Sequence, residues 1–172
     1  MKNKTHIKLS LVVYNLICNI PVCFFLCLTS AIISASDFDN WVLTINFNNI
    51  NWFMMLMNFL IAFALAMCIG LFVPLTRIGR WFAGLFHVKN ETYTGNMKYR
   101  LLATLSSSLI FYIIITPTLT MLNCFVFTKQ GWNAALFSLI INAPLMILVG
   151  FVSSLLSDLG AYKVAHHIDH TF

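Results

Sequence analysis

NWFMMLMNFLIAFALAMCIGLFVPLTRIGRWF, residues 51–82, runs through a long apolar stretch without one charge and then, past Pro74, meets Arg77, Arg80 and Trp81. A helix rises about 1.5 Å per residue, so Phe53 to Leu75 is long enough to cross a hydrocarbon core roughly 30 Å thick. The arginines and the indole that follow suit the headgroup level, where a charge stays hydrated and an amphipathic ring finds both its solvents. This segment reads as a membrane helix with an amphipathic tail.

Three more charge-free runs of spanning length follow the same logic: Leu9 to Ile33, Leu101 to Phe127 and Ala134 to Leu156. They use nearly all of a 172-residue chain that is 60% hydrophobic, 9% charged and has a mean hydropathy of +0.87. The expected fold is an all-α integral membrane protein with four transmembrane helices. No stretch between them is long enough for a soluble catalytic domain. Lys2, Lys4 and Lys8 before the first run imitate a signal peptide. That run is too long for a signal core of about 7–15 residues and carries Asn15 and Asn19, so it reads as a retained helix.

The net charge of +5 follows the topology. Lys2, Lys4, Lys8, Arg77, Arg80, Lys89, Lys98, Arg100 and Lys163 fall on one side of the spans, and Lys129 alone falls on the other. The positive-inside rule then makes both termini and the Arg80 to Lys98 connection cytoplasmic, with Ser36 to Asn51 and Thr128 to Gly131 outside. The basic balance points to the lipid bilayer as partner, not to nucleic acid. Cys18, Cys23, Cys27, Cys68 and Cys124 include no C-x-x-C pair and read as small hydrophobes.

A shift of 80 residues lays Trp52 on Trp132, Leu56 on Leu136, Ile61 on Ile141, Leu65 on Leu145, Gly70 on Gly150 and His87 on His167. Lys8 and Leu11 fall near Lys98 and Leu101 in the same manner. The chain therefore reads as two tandem helix hairpins in a parallel pseudo-repeat: 1–87 with an amphipathic cytoplasmic tail, a linker over 88–97, and 98–172 with a second tail. Trp52, Trp132, Arg77, Arg80 and Trp81 are the expected interface anchors.

The outer tryptophan, the apolar helix, Val73-Pro74-x-x-Arg77, Arg100 opening the third span and Thr120-x-x-Asn123 near its end carry a resemblance. The pattern resembles a bacterial two-helix membrane family, domain of unknown function 2798, present here as a tandem pair. The fourth helix departs from it, with Ser154 for the proline and Ser157 for the arginine. The resemblance implies hairpins of a bacterial cytoplasmic membrane and no activity.

Every span carries a small-or-polar residue at each fourth position, on one helix face. The stripes are Asn15, Asn19, Cys23, Cys27, Ala31 and Ala35; Asn58, Ala62, Ala66, Gly70 and Pro74; Thr104, Ser108, Tyr112, Thr116, Thr120 and Cys124; and Ser138, Asn142, Met146, Gly150 and Ser154. Two readings follow. The stripes are packing seams, with Gly70 and Gly150 at equivalent close crossings, or some of their polar groups line a cavity. The candidate solute set is Asn15, Asn19, Asn58, Thr116, Thr120, Asn123 and Asn142. Each span also holds one proline, Pro21, Pro74, Pro117 or Pro144, which frees a carbonyl.

No Asp, Glu, Lys, Arg or His lies in the central part of a span. Asp158, near the cytoplasmic end of the fourth at a depth comparable to Arg77, reads as a rim salt bridge. The His166-His167-x-x-His170 tail with Asp169 reads as a solvated tail and not a metal site. No cofactor, metal or enzymatic chemistry is expected. The composition favours a small transporter, or a transporter subunit, for a neutral or weakly polar solute. The alternative is a non-catalytic scaffold or regulator acting through helix association. Self-association, as a dimer first, is expected in either case.

Overall fold

A computed structural model describes residues 9–39, 42–45, 47–88, 97–127 and 131–168. The linker expected over 88–97 lies outside the described residues at 89–96, as do Asp169 and His170 of the tail and the side chain of His166.

The first apolar run forms α1 (Leu9–Ser34), continuous through Pro21. A small antiparallel hairpin follows, β1 (Ser36–Asp39) on β2 (Val42–Ile45), with Ser36 opposite Ile45. A 3-10 turn (Phe47–Asn49) then leads to Asn51, whose side chain caps the next helix by accepting from Met54 N at 3.1 Å. That helix, α2 (Trp52–Phe72), stops short of the expected Leu75. Val73 is extended (φ −89°, ψ 128°), and Pro74 opens a separate short helix, α3 (Leu75–Leu85), over the Arg77, Arg80 and Trp81 segment. The third run gives α4 (Met97–Leu122), continuous through Pro117 and ending in a π turn (Asn123–Phe127). The fourth, α5 (Trp132–Ile168), passes through Pro144 and runs well beyond the expected Leu156. Serine at 154, where the first hairpin has Pro74, removes the break.

Four of these helices, Leu9–Ser34, Trp52–Phe72, Met97–Phe125 and Ala135–Val164, are long and apolar enough to cross a membrane. The chain is a multi-pass, all-α membrane fold. Its outer surface exposes Leu16, Ile20, Phe24, Leu56, Leu60, Ile140, Leu148 and Leu156, as a lipid-facing surface requires, together with the expected anchors Trp52, Arg77, Arg80, Trp81 and Trp132. We call the end carrying the start of α1, α3 and the start of α4 the base, and the end carrying the β hairpin and the α4–α5 connection the tip.

The four stripes turn inward, except at Pro74, which is exposed. Asn58, Ala62, Ala66 and Gly70 of α2 are all buried, as are Asn15, Asn19, Cys23 and Cys27 of α1. The core is correspondingly small-sided: Cys23, Cys27, Ala62, Ala66, Ile69 and Ile115, walled by larger residues such as Phe59, Phe63, Phe111 and Leu119. Such side chains let backbones approach, which is how apolar helices gain packing in a solvent as apolar as themselves. α3 uses the same device. Its Gly79 faces α4 so closely that an added Cβ would stand 3.1 Å from Ala103 Cβ and 3.3 Å from Ala103 Cα.

The packing is lopsided in a way a strict repeat does not predict. α1 lies along α5 over a long contact, whereas the corresponding pair, α2 and α4, meets sparingly. The two glycines differ as well. A Cβ at Gly70 would fall 2.7 Å from Asn15 Cγ, but one at Gly150 would meet Leu26 Cδ2 at an ordinary 3.6 Å. The expected pair of equivalent close crossings is therefore corrected: Gly70 is one, and Gly150 is a buried glycine with room.

Candidate functional site

The base is closed by polar ties. Near its end α2 reaches Pro74, which has no N–H to return to the carbonyl four residues earlier, that of Gly70. Asn15 Nδ2 serves that carbonyl instead at 3.2 Å and also donates to Leu11 O at 3.0 Å on its own helix. Proline, glycine and asparagine thus form one unit: the first frees an acceptor, the second clears the approach, and the third fills it. One turn further into α1, Asn19 Nδ2 donates to Met67 Sδ at 3.7 Å.

A second unit joins three helices. Asp158 of α5, 3% exposed, accepts Tyr14 Oη of α1 at one oxygen and Arg100 Nε of α4 at the other, the latter at 3.0 Å. A second guanidinium nitrogen of Arg100 donates to Leu155 O at 3.0 Å. The salt bridge expected of Asp158 is thus made with Arg100 at the base end of the bundle, the carboxylate buried and the guanidinium partly exposed. A buried carboxylate is held in place only when paired and hydrogen-bonded, and here both of its oxygens are engaged.

Hydroxyls contribute less across helices than the stripes suggest. Ser108 donates to Thr104 O at 3.0 Å, Thr118 to Ile114 O at 2.7 Å and Ser157 to Ser153 O at 2.7 Å, each on its own helix. Tyr112 is an exception, reaching Leu139 O of α5 at 3.0 Å.

Toward the tip, α1, α2, α4 and α5 line a cavity of about 40 Å³. Ser30, Asn58, Thr116, Thr120 and Asn123 bring polar side chains to it, and Leu26, Cys27, Ala62, Ile115, Leu119 and Met146 complete an apolar wall. Asn58 is 8% exposed, and its Oδ1 has no hydrogen-bond partner among the described residues. A smaller space of about 10 Å³ adjoins it, sharing Leu26, Thr116 and Met146 and reaching Ser108 and Tyr112 on the base side.

Of the seven candidate solute residues, four gather at this cavity: Asn58, Thr116, Thr120 and Asn123. Asn15 and Asn19 do not; they are the ties of the base. Asn142 also stands apart, donating to Ser138 Oγ at 3.2 Å on its own helix. Ser30 escaped the stripe reading because it sits one position off the Cys27 to Ala31 line; its spacing of three from Cys27 was the available signal. Among the described residues, no group of three or more His, Cys, Asp or Glu side chains is placed to hold a metal.

No protein-family model matches the chain, no curated protein matches it, and no solved structure matches its fold.

Proposed function

We propose that this protein is a small transporter, or a transporter subunit, whose solute occupies the tip cavity. One observation carries the reading: the carbonyl oxygen of Asn58 is buried in an apolar-walled cavity without a partner among the described residues. A bundle that only packs has no use for such a group, since leaving a buried acceptor unsatisfied costs about 1–3 kcal/mol. The smaller space on the base side supports a route that continues between α1, α4 and α5. Asp158, Arg100, Tyr14 and Asn15 form its closed end.

In this reading the chain sits in a bacterial cytoplasmic membrane with its base in the cytoplasm, as the lysine and arginine distribution directs. The kinship with domain of unknown function 2798 belongs to the same proposal. Amides and hydroxyls in an apolar wall bind; they supply no activated nucleophile or acid–base pair, so the role is not enzymatic.

The scaffold reading has its own support in the base, where Asn15, Tyr14, Arg100 and Asp158 are all spent on joining helices. It makes self-association, as a dimer, the function. The two separate in one experiment: thermal stability in detergent across a panel of neutral metabolites, wild type against Asn123→Leu. A solute that stabilises the wild type and not the variant supports transport. A panel without effect, with the variant altering only assembly, favours the scaffold.

A further inference from the structure

Resting on the transport reading, we infer that the tip cavity selects small, uncharged solutes that donate a hydrogen bond, with primary amides of formamide's size as the fitting class, and that Asn58 Oδ1 is the acceptor that selects them. Three features of the site lead there. The first is polarity: Asn58 Oδ1 accepts only, it is buried, and its hydrogen-bonding capacity is unused by the described residues. An aprotic solute leaves it unsatisfied, and a donor satisfies it. The second is charge: Leu26, Ala62, Ile115, Leu119 and Met146 surround the polar groups, and the lining contains no ionisable residue except Cys27. An ion entering this wall would shed its hydration without a counter-charge.

The third is size. About 40 Å³ holds roughly three waters at about 10–15 Å³ each. That is far below the about 300–1,000 Å³ of sites for drug-sized ligands, so sugars, amino acids and nucleosides do not fit. Formamide has about as many non-hydrogen atoms as the waters it replaces. Its N–H donates to Asn58 Oδ1, and its carbonyl accepts from a hydroxyl of Thr116 or Thr120 across the cavity. So small a ligand reaches only about millimolar affinity even at the best efficiency per atom, which suits passage more than retention.

The test is osmotic swelling of proteoliposomes by stopped-flow light scattering, with formamide and glycerol as probes and protein-free liposomes as the baseline. The wild type is expected to raise formamide flux over the baseline and to leave glycerol flux at it. Asn58→Leu keeps the volume and removes the acceptor, and is expected to lower the protein-dependent formamide flux by about tenfold, the scale of one lost hydrogen bond. Asn58→Ala guards against a misfolded leucine variant: it widens the cavity, so a purely steric filter predicts faster flux, whereas an acceptor site predicts loss. Loss of formamide flux in Asn58→Ala supports the inference. Flux in Asn58→Ala equal to or above wild type overturns it, as does equal passage of glycerol. Passage of some other neutral solute without formamide also overturns it but leaves the transport reading standing, and the absence of protein-dependent flux for every solute in the metabolite panel overturns both.

Discussion

Asn15 and Asn58 are the same residue, on inward-facing stripes of adjacent helices, and have opposite fates. At the base, Asn15 meets the Gly70 carbonyl that Pro74 leaves without a donor. At the tip, Asn58 meets a cavity, and its carbonyl oxygen is left without a partner among the described residues. The difference lies in what each faces, not in the residue. The base spends its polar groups on holding helices together, and the tip keeps one in reserve at a cost to stability. A bundle organised this way is stiff at one end and chemically open at the other.

The base is most directly broken at Asp158. Asp158→Ala removes the acceptor shared by Tyr14 and Arg100 and leaves a partly buried guanidinium without its counter-charge. A loss of about 3–5 kcal/mol is expected, read as a large drop in melting temperature in detergent. Replacing Arg100 and Asp158 together by leucine is expected to recover part of it, because the uncompensated charge is then gone. A single variant that melts like wild type would mean that the three-helix tie does not hold the base.

The glycines sharpen the comparison on a smaller scale. Gly70→Ala brings a methyl within 2.7 Å of Asn15 Cγ, so Asn15 must leave its site or the helices must separate. A cost of about 1–3 kcal/mol is expected. Gly150→Ala meets only Leu26 at 3.6 Å and is expected to stay within about 0.5 kcal/mol of wild type. Equal effects at both sites would restore the symmetric crossing that the repeat suggests.

How much of this was legible in the sequence follows from which terms are local. Hydropathy fixes the four spans, because crossing a bilayer is a property of one segment at a time. The step of four fixes which faces turn inward, and Asn58, Ala62, Ala66 and Gly70 are buried as one stripe. What lies opposite a stripe is not local. Pro74 stands at the end of its apolar run and separates two helices, since Arg77 and Arg80 immediately beyond it belong at the membrane surface, whereas Pro144 stands inside its run and the helix continues through it. Asn142 shares the spacing of Asn58 but finds Ser138 one turn back on its own helix. The gathering of Asn58, Thr116, Thr120 and Asn123 depends on how α2 and α4 meet, and no single helix encodes that.

A small coupling is expected at the link between Pro74 and Asn15. Pro74→Ala returns an N–H to the stretch that faces Gly70 O, so Asn15→Leu is expected to cost less in that background than in wild type. The coupling in the double-mutant cycle is expected to be about 0.6 kcal/mol, the scale of one hydrogen bond inside a membrane protein. Simple additivity would separate the proline from the asparagine.

The account rests on two asparagines with opposite roles, and one paired measurement addresses it: equilibrium unfolding of Asn15→Leu and Asn58→Leu in the same detergent, without added solute. Asn15→Leu is expected to lose about 1 kcal/mol, because the Gly70 carbonyl and the helix crossing lose their tie. Asn58→Leu is expected to gain about 1 kcal/mol or more, because a buried unsatisfied acceptor gives way to an apolar side chain of similar size. Opposite signs are the predicted result. A loss in both would contradict the account, making Asn58 one more tie and the tip a packing seam like the base.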